Sequence, residues 1–97
     1  MEIKVAQVVN HNQVKKDQAV QLEDGRIQNI RNLYPFETPE FPNMIPGFID
    51  IHTHGRMGFS TMDIENYEKL SKSYLISGTT AFVASLLTAP IEEIEKI

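Results

Sequence analysis

The chain has 97 residues, no cysteine, no tryptophan, 41% hydrophobic and 23% charged residues, and a formal net charge of −4. The missing cysteines exclude a disulfide framework, a thiolate metal site and a cysteine nucleophile. The acidic balance and the scattered bases exclude the basic patch of a nucleic-acid partner. No apolar stretch approaches the roughly 20 residues of a membrane span, and the N-terminus lacks a secretory-signal pattern. We therefore expect a cytoplasmic protein with no membrane segment.

Short strands are predicted over the first thirty residues. Apolar and polar residues alternate over 3–8 and again over 20–27, a period of two that is typical of strands. The dipeptide Asp24-Gly25 inside the second stretch is a strong hairpin signal. Four prolines then occur between residues 33 and 46, and because proline denies the ladder a donor we interpret this stretch as a connector. A boundary near residue 44 divides the chain into segments 1–44 and 45–97.

After this boundary the pattern predicts a strand, a helix and a second strand. The first strand covers residues 45–52, and the second is the nearly continuous apolar run 80–87, of the kind buried on both faces of a parallel sheet. Asp63 can cap the helix between them and Gly78 can end it. Because a strand–helix–strand unit joins parallel strands, the chain is expected to be α/β, with N-terminal strands followed by the opening of a repeating β/α architecture.

Asp50, His52 and His54 occupy alternate positions at the end of the first of these strands. Alternate side chains of a strand share a face and lie about 6.6–6.8 Å apart, so these three point one way, while Ile49 and Ile51 are expected to face the covering helix. Two imidazoles at this spacing can converge on one divalent ion, about 2.0–2.1 Å from each nitrogen. We predict His52 and His54 as metal ligands, and Asp50 as a carboxylate that orients a ligand or hydrogen-bonds to a neighbouring strand.

The alternative interpretation is that the two histidines enter a loop and bond only to backbone or water, since a His-x-His tripeptide alone is a weak signal. Their place at a strand end favours the metal site, because catalytic groups of β/α barrels lie at the C-terminal ends of strands. His11, between two asparagines, is predicted to be a solvated turn residue. Arg56 is predicted to be a solubilising loop residue, with an anion contact near the site as its alternative.

Residues 46–55 resemble the first barrel strand of the amidohydrolase superfamily, whose hallmark is a His-x-His at the end of that strand. Residues 61–63, 77–82 and 87–92 are similar, more narrowly, to the N-acetylglucosamine-6-phosphate deacetylase family. The N-terminal strands are similar to the β-sandwich part that precedes the barrel in that family. The resemblance covers nearly the whole chain.

The resemblance implies a β-sandwich portion and connector at 1–44 and, at 45–97, the first βαβ unit of an incomplete TIM-type (β/α)8 barrel of a metal-dependent hydrolase. The implied reaction removes the N-acetyl group of N-acetylglucosamine 6-phosphate in amino-sugar catabolism, giving glucosamine 6-phosphate and acetate. The implied cofactor is a divalent metal, zinc or iron, held by His52 and His54, with capacity for two ions. The implied partners are the amino-sugar phosphate substrate and, because the family is often dimeric, a second copy of the chain.

The family's acid–base groups correspond to positions downstream of the stretch that these residues resemble. We therefore predict no catalytic residue within 1–97 and no hydrolysis by this chain alone. A catalytic metal site needs at least three protein ligands, so weak metal binding is expected. Uncovered strand edges predict either self-association or a compact arrangement that is not a barrel. The alternatives are another amidohydrolase, such as a dihydroorotase-like or deaminase member, or a non-catalytic α/β module with an incidental His-x-His.

Overall fold

The computed structural model describes residues 1–97 and divides into two compact units, Met1–Pro46 and Gly47–Ile97. Strands predominate and helices occur only in the second unit. The mixed α/β class expected from the sequence is therefore confirmed, whereas the sandwich and the barrel stay predictions. No helix of the chain is both long enough and apolar enough to cross a membrane.

The N-terminal unit is a four-stranded sheet with the spatial order β3-β2-β1-β4. Its strands are β1 (Glu2–Val9), β2 (Val14–Glu23), β3 (Arg26–Asn32) and β4 (Phe41–Met44). The first three are antiparallel neighbours, and β4 runs parallel to β1 at the edge of the sheet. The central strands therefore supply the core of this unit.

That core consists of Val5, Ala19 and Val20, which are at most 1% exposed. Asp24 and Gly25 form the turn between β2 and β3, with φ angles of 48° and 70°. Two left-handed residues in succession are typical of the type I′ turn, which Asp-Gly accommodates. The predicted hairpin is confirmed.

The proline-rich stretch is not only a connector, because β4 lies within it. Pro42 is tolerated there since an edge strand can lack a ladder donor. The approach to β4 is fixed by Glu40, whose N–H donates to the Lys4 carbonyl at 2.7 Å and whose carboxylate accepts the Lys4 N–H at 2.9 Å. A strand of four residues shows too little alternation to be recognised from the sequence.

The C-terminal unit contains the predicted strand–helix–strand arrangement. Its elements are β5 (Phe48–Thr53), β6 (Gly55–Arg56), β7 (Phe59–Ser60), α1 (Tyr67–Leu75), β8 (Thr79–Ala84) and α2 (Ile91–Ile94). β5 and β8 pair in parallel, and β6 and β7 form a small hairpin directly after β5. The βαβ unit is confirmed, and it places the ends of β5 and β8 side by side.

The helix α1 begins four residues later than Asp63. A 3-10 turn at Ile64–Asn66 precedes it, and the Asp63 carboxylate accepts a hydrogen bond from the Asn66 side chain instead of capping the backbone. The end of the helix agrees better with the prediction. Gly78 adopts a φ of 81°, and its N–H donates to the Leu75 carbonyl at 2.9 Å.

The core of this unit lies under α1, where Leu70 is fully buried and Tyr74 stacks on Phe82 at 4.9 Å between ring centroids. The expectation that Ile49 and Ile51 face the helix is wrong, since they are 67% and 78% exposed. The nine-residue helix packs on β6, β7 and β8 and covers little of β5. The second strand is likewise not buried on both faces, because half of its side chains are exposed.

Candidate metal centre

The two histidines meet at the C-terminal end of β5. His52 lies in the strand, His54 lies just beyond it, and both side chains are exposed. Their ring centroids are 5.0 Å apart and their planes are perpendicular. The structure therefore brings the two predicted ligands together at the edge where β5 and β8 end.

Ser85, the first residue after β8, contacts both rings. The Nδ1 of His54 donates to the Ser85 carbonyl at 2.8 Å, and the Nδ1 of His52 lies 3.1 Å from the Ser85 Oγ. A carbonyl only accepts, so Nδ1 of His54 carries a proton, and in the neutral ring Nε2 then keeps its lone pair. Metal-binding histidines are commonly fixed in this way through the ring nitrogen that does not bind the metal.

Thr61 forms hydrogen bonds to the backbone at the ends of both strands. It is fully buried, and its N–H donates to the His54 carbonyl at 3.0 Å. Its Oγ1 lies 2.8 Å from the Ser85 carbonyl and 3.2 Å from the His54 carbonyl. A hydroxyl has one proton to donate, and the shorter distance assigns it mainly to Ser85.

Two tyrosines of α1 support this arrangement. The Tyr67 hydroxyl donates to the Thr61 carbonyl at 2.7 Å, and the Tyr74 hydroxyl shares a hydrogen bond with Thr53 Oγ1. Residues seven apart lie on the same face of a helix. The helix therefore presents both hydroxyls to the segment that carries the histidines.

Gly55 allows the chain to turn sharply after the histidine pair. Its φ is 138°, and a Cβ at this position would lie 2.2 Å from the Phe59 carbonyl oxygen. Only glycine fits this close approach. The N–H of Gly55 donates to Thr53 Oγ1 at 3.1 Å, which fixes the turn to the end of β5.

Asp50 and Arg56 lie near the pair in sequence but take other partners. The Asp50 carboxylate accepts the backbone N–H of His52 at 3.1 Å and forms no hydrogen bond with either ring. Arg56 donates to Ser77 Oγ and lies over the Tyr74 ring at 5.4 Å, so it supports the chain at the end of α1. No three histidine or acidic side chains form a metal-binding cluster in the chain.

The spacing of the two rings matches that of two imidazoles bound to one divalent ion. An imidazole nitrogen lies about 1.1 Å from its ring centroid and binds zinc at about 2.0–2.1 Å, so two rings on one tetrahedral ion have centroids about 5 Å apart. The observed separation is 5.0 Å. Because a catalytic zinc site needs three protein ligands, two histidines would supply only part of such a site.

Ser85 and Thr61 are the site residues that sequence reasoning missed. Ser85 lies within the apolar run 80–87, which was interpreted as one strand, whereas β8 ends at Ala84. The signal that could have identified Ser85 was the parallel topology of the two strands. The ends of parallel strands meet at one edge of a sheet, and this rule could have placed a hydroxyl residue at the end of the second strand near His52.

Solved structures share this fold. The chain matches the N-acetyl-D-glucosamine-6-phosphate deacetylase of Mycobacterium smegmatis over 99% of its own length, with a TM-score of 0.78 and 21% identity, and covers 29% of that structure. It matches a mutant of that enzyme in complex with N-acetyl-D-glucosamine-6-phosphate with a TM-score of 0.77 and 21% identity, over 99% of its own length and 27% of that structure. The fold is that of the N-terminal region of an amino-sugar deacetylase.

The curated relatives carry the same name as these structures. The chain is 34% identical over 95 residues to the N-acetylglucosamine-6-phosphate deacetylase of Bacillus subtilis (strain 168), an alignment that covers 89% of this chain and 24% of the relative. It is 39% identical over 54 residues to that of Vibrio furnissii, covering 54% of this chain and 14% of the relative. No family model matches the sequence. The resemblance predicted from the sequence is confirmed, and the chain spans about a quarter or less of its curated relatives.

Proposed function

We propose that this chain is part of a metal-dependent N-acetylglucosamine-6-phosphate deacetylase of amino-sugar catabolism, which hydrolyses the N-acetyl group to give glucosamine 6-phosphate and acetate. The observation that carries the proposal is the pair His52 and His54, both anchored through Nδ1 by Ser85. This pair stands in a chain whose curated relatives are N-acetylglucosamine-6-phosphate deacetylases. The name of the relatives supports the substrate, and the geometry supports the metal.

A bound zinc or iron ion would polarise the acetamide carbonyl and lower the pKa of a water toward 7. His52 and His54 would hold the ion through their Nε2 atoms. Ser85 and Thr61 keep the rings in place. The Asp50 carboxylate accepts the backbone N–H of His52 and so supports the end of the strand that carries the pair. The remaining ligands, the proton-transfer group and the contacts to the sugar phosphate come from outside residues 1–97.

The proposal includes association with further protein surface, either more of the same polypeptide or a second copy. Ile49 and Ile51 on β5 and Val83 on β8 are each more than half exposed. Burial of such side chains is worth about 1.5–3 kcal/mol each. When these side chains are left exposed to water, they favour self-association of the chain.

The first prediction tests the deacetylase itself. The intact protein that contains this chain is expected to release acetate from N-acetylglucosamine 6-phosphate. The variants H52Q and H54Q are expected to lose more than about 100-fold in kcat/KM and to lose bound metal, because each removes a ligand nitrogen. Acetate is measured enzymatically, and metal content by elemental analysis of the purified protein.

The matched control is H11Q, because His11 lies on an exposed turn of the N-terminal unit. It is expected to keep both acetate release and metal content. A wild-type protein that releases no acetate contradicts the proposal. A fully active H52Q variant contradicts the assignment of the ligands.

A further inference from the structure

Every polar group of Ser85 lies within hydrogen-bond distance of residues 52–54 at the end of β5 or of Thr61. Its N–H donates to the Thr53 carbonyl at 2.8 Å. Its carbonyl accepts from His54 Nδ1 and from Thr61 Oγ1, both at 2.8 Å. Its Oγ lies 3.1 Å from His52 Nδ1. One residue therefore contacts both histidine rings and the backbone of Thr53, which lies between the histidines in the sequence.

The Ser85 carbonyl decides which nitrogen the His54 ring offers to a ligand, and the Ser85 hydroxyl can favour the same choice in His52. A neutral imidazole carries one N–H, so a ring that donates from Nδ1 keeps an unprotonated Nε2. For His54 the choice is forced by a carbonyl acceptor. For His52 the Ser85 hydroxyl has lone pairs to accept the same kind of bond. Both rings can then bind a cation through Nε2 without first exchanging a proton between their nitrogens.

The Ser85 carbonyl is itself held in place. The buried Thr61 hydroxyl donates to it, and Tyr67 of α1 donates to the Thr61 carbonyl at 2.7 Å. The histidines are thereby connected to the core of the unit through Ser85 and Thr61. This chain of contacts offers two separate points for substitution, the Ser85 side chain and the Thr61 hydroxyl.

We propose that Ser85 is the positioning residue of the metal centre, setting the tautomer and the orientation of both His52 and His54. The inference rests on the proposed function for the identity of the metal site and goes beyond it by assigning a residue that does not touch the metal. Ser85 acts through the histidines and is not itself catalytic.

The test compares S85A with S85T in the intact protein. Zinc affinity is measured by competition with a chromogenic chelator, and the ring ¹⁵N shifts of His52 and His54 are recorded by NMR without metal at one fixed pH. S85A is expected to weaken zinc binding about 10–100-fold, the usual cost of removing a partner of a ligand histidine. It is also expected to shift the ring nitrogens of His52 toward a mixture of tautomers.

S85T retains the hydroxyl and is expected to bind zinc within about threefold of wild type, since the contact to His52 is preserved. Acetate release by S85A is expected to recover as the zinc concentration rises, which a merely structural defect would not produce. The matched control is S71A, because Ser71 lies exposed on α1. This variant is expected to leave zinc affinity and ring shifts unchanged.

Should S85A fail to fold, the pair T61V and T61S replaces it. T61V removes the donor to the Ser85 carbonyl and is expected to weaken zinc binding, whereas T61S retains the donor and binds as wild type does. Thermal unfolding of each variant shows which of them is folded.

The outcomes separate this inference from the proposed function. If the wild type binds zinc but releases no acetate, while S85A weakens zinc binding and shifts the His52 ring nitrogens, the deacetylase proposal fails and the role of Ser85 stands. If the wild type releases acetate and S85A changes neither zinc affinity nor ring shifts, the role of Ser85 is overturned. A wild type that binds no zinc overturns both.

Discussion

Glu37, in the loop after β3, shows how much one side chain can organise. Its carboxylate accepts two N–H groups of the Arg31 guanidinium at 2.7 and 2.8 Å and the backbone N–H of Tyr34 at 2.8 Å, and it lies 3.2 Å from Lys4 Nζ. The side chain is only 9% exposed. The bidentate Arg31, followed by the Tyr34 N–H and Lys4, holds the pKa of Glu37 well below its usual range.

This environment predicts how stability depends on acid. The pKa of Glu37 is lower in the folded chain than in the unfolded one, so its ionised form stabilises the fold at every pH above about 4.3. The contribution is lost as the pH falls below that value. The free energy of unfolding is therefore expected to decrease between about pH 4.3 and pH 2, and E37Q is expected to show a lower value at neutral pH and a shallower decrease.

Urea denaturation at a series of pH values measures this dependence. The matched control is E23Q, because Glu23 is exposed at the end of β2. It is expected to follow the wild-type curve. An E37Q variant with the wild-type pH dependence would show that the cluster around Arg31 does not couple to folding.

At the scale of elements, α1 supports the site more than it covers the sheet. Its face carries Tyr67 and Tyr74, whose hydroxyls bond to Thr61 and Thr53. Leu70 lies between them and is fully buried. Tyrosine in such a place combines apolar contact with a hydroxyl that needs a partner. We therefore expect the hydroxyl and the ring to contribute separately.

Y74F removes the hydroxyl alone. It is expected to lower the free energy of unfolding by about 0.5–1.5 kcal/mol, the net contribution of one hydrogen bond, while the stacking on Phe82 remains. The control is Y34F, because Tyr34 is 56% exposed, and it is expected to change stability by less than about 0.5 kcal/mol. Equal losses in the two variants, measured by urea denaturation, would contradict a supporting role for the Tyr74 hydroxyl.

Elements that are specified by a few neighbouring residues could be predicted from the sequence, whereas elements that depend on a distant partner could not. The turn at Asp24-Gly25 and the helix stop at Gly78 adopt left-handed conformations that the residue types favour by themselves. β4 escaped prediction because a short edge strand is specified by its partner β1 and not by its own pattern. The late start of α1 was not predicted because the Asp63 carboxylate, which was expected to cap the helix, accepts a hydrogen bond from the Asn66 side chain.

At the scale of the whole chain, the site was only half predictable. The face shared by His52 and His54 follows from the period of a strand, and the structure places their rings 5.0 Å apart. The role of Ser85 depends on the register between β5 and β8, which brings together residues that are 31 to 33 positions apart in the sequence. No local sequence pattern specifies this register. The exposure of Ile49 and Ile51 likewise depends on how little of β5 a nine-residue helix covers.

The incompleteness of the ligand set leads to the prediction that belongs to the chain as a whole. Two imidazoles at the end of β5 are fewer than the three protein ligands of a catalytic zinc site, and no acidic side chain joins them. The chain of 97 residues by itself is therefore expected to bind zinc no more tightly than about micromolar and to release no acetate from N-acetylglucosamine 6-phosphate. Calorimetry with zinc alone measures the first quantity, and an acetate assay the second.

The double variant H52Q/H54Q of the same chain separates the histidine pair from incidental binding. It is expected to abolish the weak zinc binding, because no other side chains form a metal-binding group. Circular dichroism confirms that both chains keep their strands before they are compared. Sub-micromolar zinc binding by the wild-type chain would mean that these residues complete a site without further ligands. Acetate release by the chain alone would mean that a proton-transfer group lies among them, with Asp50, half-buried on the strand of the two histidines, the first residue to substitute.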